Sequence, residues 1–159
     1  MDVRIPANNG VIRYLERMKS ERPPLSDVRP PADPRHDYWG IGAHPEIVER
    51  LWDQLGSRLA REARQVVLEA PALIHSATGV ILAVALGTSY AIRVPSSAHA
   101  VAMEAGAKTQ IHWSDGTVLD LQAEFGDDWF AGSWSSHEGV WCTAQARELD
   151  TSPKAGGTS

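Results

Sequence analysis

Six histidines, six tryptophans and a single cysteine are the residues of this chain best equipped for chemistry. His36, His44, His75, His99, His112 and His137 are scattered. No two stand four apart on a helix and no His-x-His occurs, so spacing alone builds no zinc motif. Any metal or catalytic role must therefore be assembled by the fold. His112 and Asp120 fall on the two arms of one expected hairpin and come within reach if the register allows. His75 lies near a strand end, where functional side chains are often presented. His36-Asp37-Tyr38-Trp39 places a carboxylate beside an imidazole it could orient. Neighbours in an extended chain face opposite sides, however, so Tyr38 and Trp39 are assigned to docking.

The tryptophans are the unusual feature. Trp52 and Trp141 fit the core faces of helices. Trp113, Trp129 and Trp134 fall in or near loops and, with His112 and Asp120, would frame an aromatic ligand pocket or a protein-binding hot spot. The plain alternative is a second small core holding the last helix to a sheet. Cys142 can form no internal disulfide. A reactive thiolate needs a helix N-terminus or a nearby cation, and His137, five residues earlier, is poorly placed on the helix to supply one. Cys142 reads as a buried structural thiol. Gly132-Ser133-Trp134 does not complete a nucleophile elbow. Gly40-x-Gly42 has neither the preceding strand nor the third glycine of a phosphate loop. The reading names no catalytic residue, no metal ligand and no cofactor.

The elements that must position these residues follow from hydrophobic period. The chain has 159 residues, of which 43% are hydrophobic and 22% charged. That is ordinary globular usage and room for one domain. A helix is expected over 9–20, with Val11, Ile12, Leu15 and Met18 on one face. Residues 21–37 read as a Pro-rich extended linker. Residues 1–37 thus form a helix and arm, 38–150 a single domain, and 151–159 a flexible tail. The clearest helix opens at Pro45 and repeats Ile47, Val48, Leu51, Trp52, Leu55 and Leu59. Strands follow at 66–68 and 72–75, with Pro71 at a bulge or edge position, then at 80–86 and 90–94. The unbroken apolar run 80–86 reads as a central strand covered on both faces. A short helix is expected over 97–105 and a hairpin at 109–121 with Asp115-Gly116 at its turn. A last helix over about 136–149 has Ser135 and Glu138 as a capping box and Val140, Trp141 and Ala144 facing the core. Short loops between successive strands imply antiparallel neighbours. The expected class is α+β, a mostly antiparallel sheet of about five strands with helices packed mainly on one face.

Residues 45–120 resemble the small α+β domain at the N-terminus of TfoX-type competence regulators. The likeness rests on the opening amphipathic helix and the strand pair around Gly79-Val80-Ile81-Leu82-Ala83. It continues through Tyr90-Ala91-Ile92-Arg93-Val94 into a helix ending Glu104-Ala105-Gly106-Ala107. Where that family carries Arg-Met-Phe-Gly-Gly, this chain has Val67-Leu68-Glu69-Ala70-Pro71. The resemblance is one of fold and carries over no functional residue.

A net charge of −5 works against non-specific attraction to nucleic acid or anionic membranes. No apolar run approaches a membrane span and the first residues lack a signal peptide's apolar stretch, so the expected location is cytoplasmic. With no catalytic constellation, the chain reads as a non-catalytic interaction or accessory domain of regulatory, adaptor or immunity type. It would meet a protein partner, or a second copy as a homodimer through the N-terminal arm. The alternatives are a small enzyme or ligand binder using the Trp113–Trp129–Trp134 pocket and, from the resemblance, a DNA-associated regulator.

Overall fold

The computed structural model describes residues 2–18, 28–29, 43–132 and 137–151. The centre is an antiparallel sheet in the order β1-β2-β3-β4-β5-β8. Its strands are β1 (Val28–Arg29), β2 (Arg64–Val67), β3 (Ala70–Ile74), β4 (Ile81–Leu86), β5 (Ser89–Arg93) and β8 (Trp129–Ala131). A separate pair, β6 (Gln110–His112) and β7 (Val118–Asp120), forms the Asp115-Gly116 hairpin. Helices are α1 (Asn9–Met18), α2 (Pro45–Glu49), α3 (His99–Glu104), α4 (Leu121–Glu124) and α5 (His137–Thr151). The α+β class and the antiparallel meander are as the sequence implied.

Sheet membership is less simple than the meander suggested. The 109–121 hairpin stands apart from the main sheet. Its edges are taken instead by β8, from the aromatic segment, and by β1, from within the Pro-rich stretch. Both are too short to show a period of two.

Alternation along the strands, interrupted at Leu82-Ala83, which both join the first core, builds two cores. Val66, Leu73, Leu82, Ala85, Tyr90, Ile92 and Phe130 point to one face, where α2 and the helical residues 50–55 that continue it, α3 and α5 bring Val48, Leu51, Trp52, Ala102, Trp141 and Cys142. Val67, Ala72, Ile74, Ile81, Val84, Ala91 and Trp129 point to the other. There α1 brings Val11, Ile12 and Leu15, α4 brings Leu121, and the small sheet brings Ile111 and Leu119. Every residue of β4 is buried, as a strand covered on both sides requires.

The helix opened by Pro45 is capped by His44, whose Nδ1 accepts from the Glu46 N–H at 3.1 Å. After Glu49 it widens into a π-helical segment, Arg50–Leu55, and ends at Gly56. Leu59 therefore lies beyond the helix, although the apolar spacing ran through it. In α5 the core face is Trp141, Cys142 and Ala146, and Val140, expected inward, is 55% exposed. Pro71 pairs with Val66 inside a central strand, and the register shift falls between Leu73 and Ile74. Residues 68 and 69 make the two-residue β2–β3 turn, with φ of 47° at Leu68 and 71° at Glu69. Two positive φ values mark a type I′ turn, which favours Asn-Gly rather than Leu-Glu.

The N-terminal segment is built into the sheet of its own chain. The fully buried Asn8 side chain donates to the Val3 and Gly79 carbonyls, both at 2.8 Å, and accepts from the Ile81 N–H at 2.9 Å. Gly79 has φ +81°, and a Cβ there would overlap the Asp2 carbonyl oxygen, so only glycine lets the two segments meet.

Candidate functional site

Three segments converge at one end of the helical face. The end of β3 supplies Ile74, His75 and Ser76. The α2–β2 connection supplies Arg58, Leu59, Ala60 and Ala63, and α5 supplies Thr143, Ala146, Arg147 and Asp150. Together they line a cleft of about 290 Å³ floored by Leu82. The four α5 residues stand at i, i+3, i+4 and i+7, one helical face.

His75 organises this cleft. The residue is only 6% exposed. Its Nε2 lies 2.6 Å from Asp150 Oδ1 and its Nδ1 lies 2.8 Å from Thr78 Oγ1. A carboxylate can only accept, so Nε2 carries a proton. In the neutral ring Nδ1 accepts the Thr78 hydroxyl proton; in the imidazolium it donates to that oxygen. Either way both nitrogens are engaged and neither faces a substrate. Thr78 Oγ1 also accepts from the Val80 N–H at 3.3 Å, which fixes the turn that carries the ring.

The cations at the cleft are uncommitted. Neither Arg58 nor Arg147 has a hydrogen bond or ion pair among the described residues. The same cleft also holds a negative pole, Asp150, which is 61% exposed, follows Arg147 by three residues on one face of α5 and sits in the last turn, where the helix dipole is negative. Arg58, Thr78, Arg147 and Asp150 were missed in the sequence. The i, i+3, i+4, i+7 set on α5 was visible, but its link to Arg58 and His75 is purely tertiary.

The residues singled out from sequence are not brought together as expected. Trp113 is half-buried and lines a groove of about 440 Å³ with Tyr14, Met18, Leu86, Gly87, Ser114, Asp115 and Thr117. Trp129 is fully buried in the second core, edge-on to Phe125 at 5.2 Å, with the Arg93 guanidinium 4.8 Å from its ring centroid. Trp129 therefore packs the sheet and does not line that groove. His112 is exposed and opposite Val118, while Asp120 is opposite Gln110 and caps α4 by accepting from Ala123 N at 3.2 Å. The hairpin register puts these two at opposite ends, and no His112–Asp120 pair forms. Tyr38, Trp39 and Trp134 lie outside the described residues.

Two further titratable groups inside the fold have structural partners. His99 Nε2 lies 2.9 Å from the Val94 carbonyl and 3.2 Å from Asp128. Arg93 donates to the Ile81 and Ala7 carbonyls. Burial pulls its pKa down to about 10, against the opposing pull of Asp128, so it is charged at neutral pH. Burial pushes the Cys142 thiol up to about 12, which keeps it protonated and inert. Among the described residues no His, Cys, Asp and Glu cluster is placed to hold a metal ion, and no helix is long and apolar enough to cross a membrane. No family model, no curated protein and no solved structure matches this chain.

Proposed function

We propose that this chain is a non-catalytic binding domain whose cleft at His75, Arg58 and Arg147 takes a small molecule carrying an anionic group. The observation behind this reading is the pair of uncommitted guanidiniums beside a polar pocket that is already formed. Guanidinium offers a fork of donors suited to carboxylate or phosphate. The pinned imidazole supports binding over catalysis, because a general base needs a nitrogen free to meet the substrate.

The test is titration of the full chain with acetate and with inorganic phosphate, followed by amide chemical shifts at Ser76, Thr143 and Ala146. Saturable shifts are expected, lost in the Arg58→Gln/Arg147→Gln double variant. Both arginines are exposed, so the fold survives these changes. Shifts that persist in the double variant, or none with either anion, overturn the reading.

A second reading is favoured by a different observation. Met18 and Val118 are 52% and 48% exposed, and Met18 joins Tyr14 and Trp113 in the groove. An interaction domain would meet its protein partner, or a second copy, at such an aromatic and methionine surface. It would do so without releasing α1, whose apolar face is already spent on its own sheet.

A further inference from the structure

We infer that the ligand of this cleft is zwitterionic, a free α-amino acid with an apolar side chain. The inference rests on the proposed binding role of the cleft and adds the identity of its occupant. A site for a simple anion would be lined by cations and neutral donors. Here Arg58 and Arg147 share the cleft with the largely exposed carboxylate of Asp150. A carboxylate in an anion site repels the ligand, at a cost that grows as water is excluded.

That conflict disappears if the ligand carries both signs. Its carboxylate would pair with the guanidiniums. Its ammonium would meet Asp150, where the terminal carbonyls of α5 add negative potential. His75 holds Asp150 through one oxygen, Oδ1. Oδ2 has no hydrogen bond among the described residues, so it is available to the ammonium. The remaining wall is aliphatic: Leu59, Ala63, Ile74, Leu82 and Ala146. An apolar side chain of the ligand gains by covering that wall.

The experiment titrates the full chain with leucine, N-acetylleucine and leucinamide, then with methionine and phenylalanine, and reads the same amide shifts. N-acetylleucine lacks the ammonium and leucinamide lacks the carboxylate. Each is expected to bind at least ~10-fold more weakly than leucine, the loss of one charged hydrogen-bonding pole. Asp150→Asn should equalise leucine and N-acetylleucine and, by removing a repelling carboxylate, should bind acetate at least as tightly as the parent chain. N-acetylleucine binding as tightly as leucine overturns the zwitterion and leaves the anion-binding role standing. Absence of response to all three amino acids, with acetate still bound, overturns it as well. Silence towards acetate, phosphate and amino acids alike removes both readings together.

Discussion

The two faces of the sheet are closed in different ways. On the helical face, α2 and α5 lay apolar stripes across the strands, and a cluster including Leu51, Trp52, Tyr90, Phe130 and Trp141 does the work. Its polar links include the Trp52 indole N–H donating to the Ala72 carbonyl at 2.9 Å and, at the cleft end, His75 Nε2 to Asp150 Oδ1 at 2.6 Å. The opposite face is stitched. Asn8 ties the N-terminal segment to the turn before β4 and to the first residue of that strand, and Arg93 reaches across from β5 to the Ile81 and Ala7 carbonyls. Burial of area tolerates small shifts of a helix. Buried hydrogen bonds do not, because each broken one leaves a group without water. The first face should therefore be robust in position and the second exact but brittle.

The sharpest way to break this comparison is Asn8→Ala. The substitution orphans the Ile81 N–H and two carbonyls in a dry interior, a cost of about 3 kcal/mol. Leu51→Ala on the helical face should cost a similar amount, about 3 kcal/mol, through the cavity it leaves. Urea unfolding would report both totals. Hydrogen exchange separates them: Asn8→Ala should deprotect the α1 amides while those of α2 and α5 stay protected. Equal loss of protection on both faces would mean that the sheet is one cooperative unit and that the contrast is false.

The same contrast explains what could be read from the sequence. The helical face was legible because area burial writes a period, as in Ile47, Val48, Leu51, Trp52 and Leu55. The stitched face was not, because Asn8 is one polar residue whose partners lie 71 and 73 positions away. Arg93, within a strand, gave no sign that it would be buried against Trp129. The candidate cleft suffered likewise. His75 was noticed for its place at a strand end, but Asp150, its partner, lies 75 residues further on. Trp129 misled for the opposite reason: it sits beside loops in the sequence yet occupies the centre of a core, because a three-residue strand carries no readable alternation.

A milder test uses pH, since Cys142 on the helical face and Arg93 on the other are ionisable groups that burial shifts in opposite directions. The folded Cys142 thiol titrates near 12 against an ordinary 9.0, while Arg93 titrates near 10 against 12.5. Above pH 9 the unfolded chain ionises its thiol and the folded chain does not, so stability falls. The loss reaches about 1.4 kcal/mol at pH 10. Arg93 acts in the other direction and later, because the folded guanidinium loses its proton first, between pH 10 and 12.5. Chemical unfolding from pH 8 to 10 should thus show a decline that Cys142→Ala removes. A decline of the same size in Cys142→Ala would place its origin elsewhere.

The smallest expected effect lies in the hairpin that serves both faces, since β2 sends Val66 to one core and Val67 to the other. Its turn holds Leu68 and Glu69 at positive φ. For residues with a Cβ that conformation costs on the order of 1 kcal/mol each. Leu68 recovers part of this by burial, being 8% exposed within the second core. Glu69 packs into neither core. Glu69→Gly should therefore stabilise the protein by at most about 0.5 kcal/mol, strain relief of about 1 kcal/mol less about 0.5 kcal/mol for the entropy of a freer unfolded chain. Glu69→Val should destabilise it, because a β-branched side chain tolerates positive φ least. The two variants bracket the argument: if both shift the urea midpoint the same way, the backbone of this turn is not where the strain resides, and the side-chain interactions of Glu69 govern it instead.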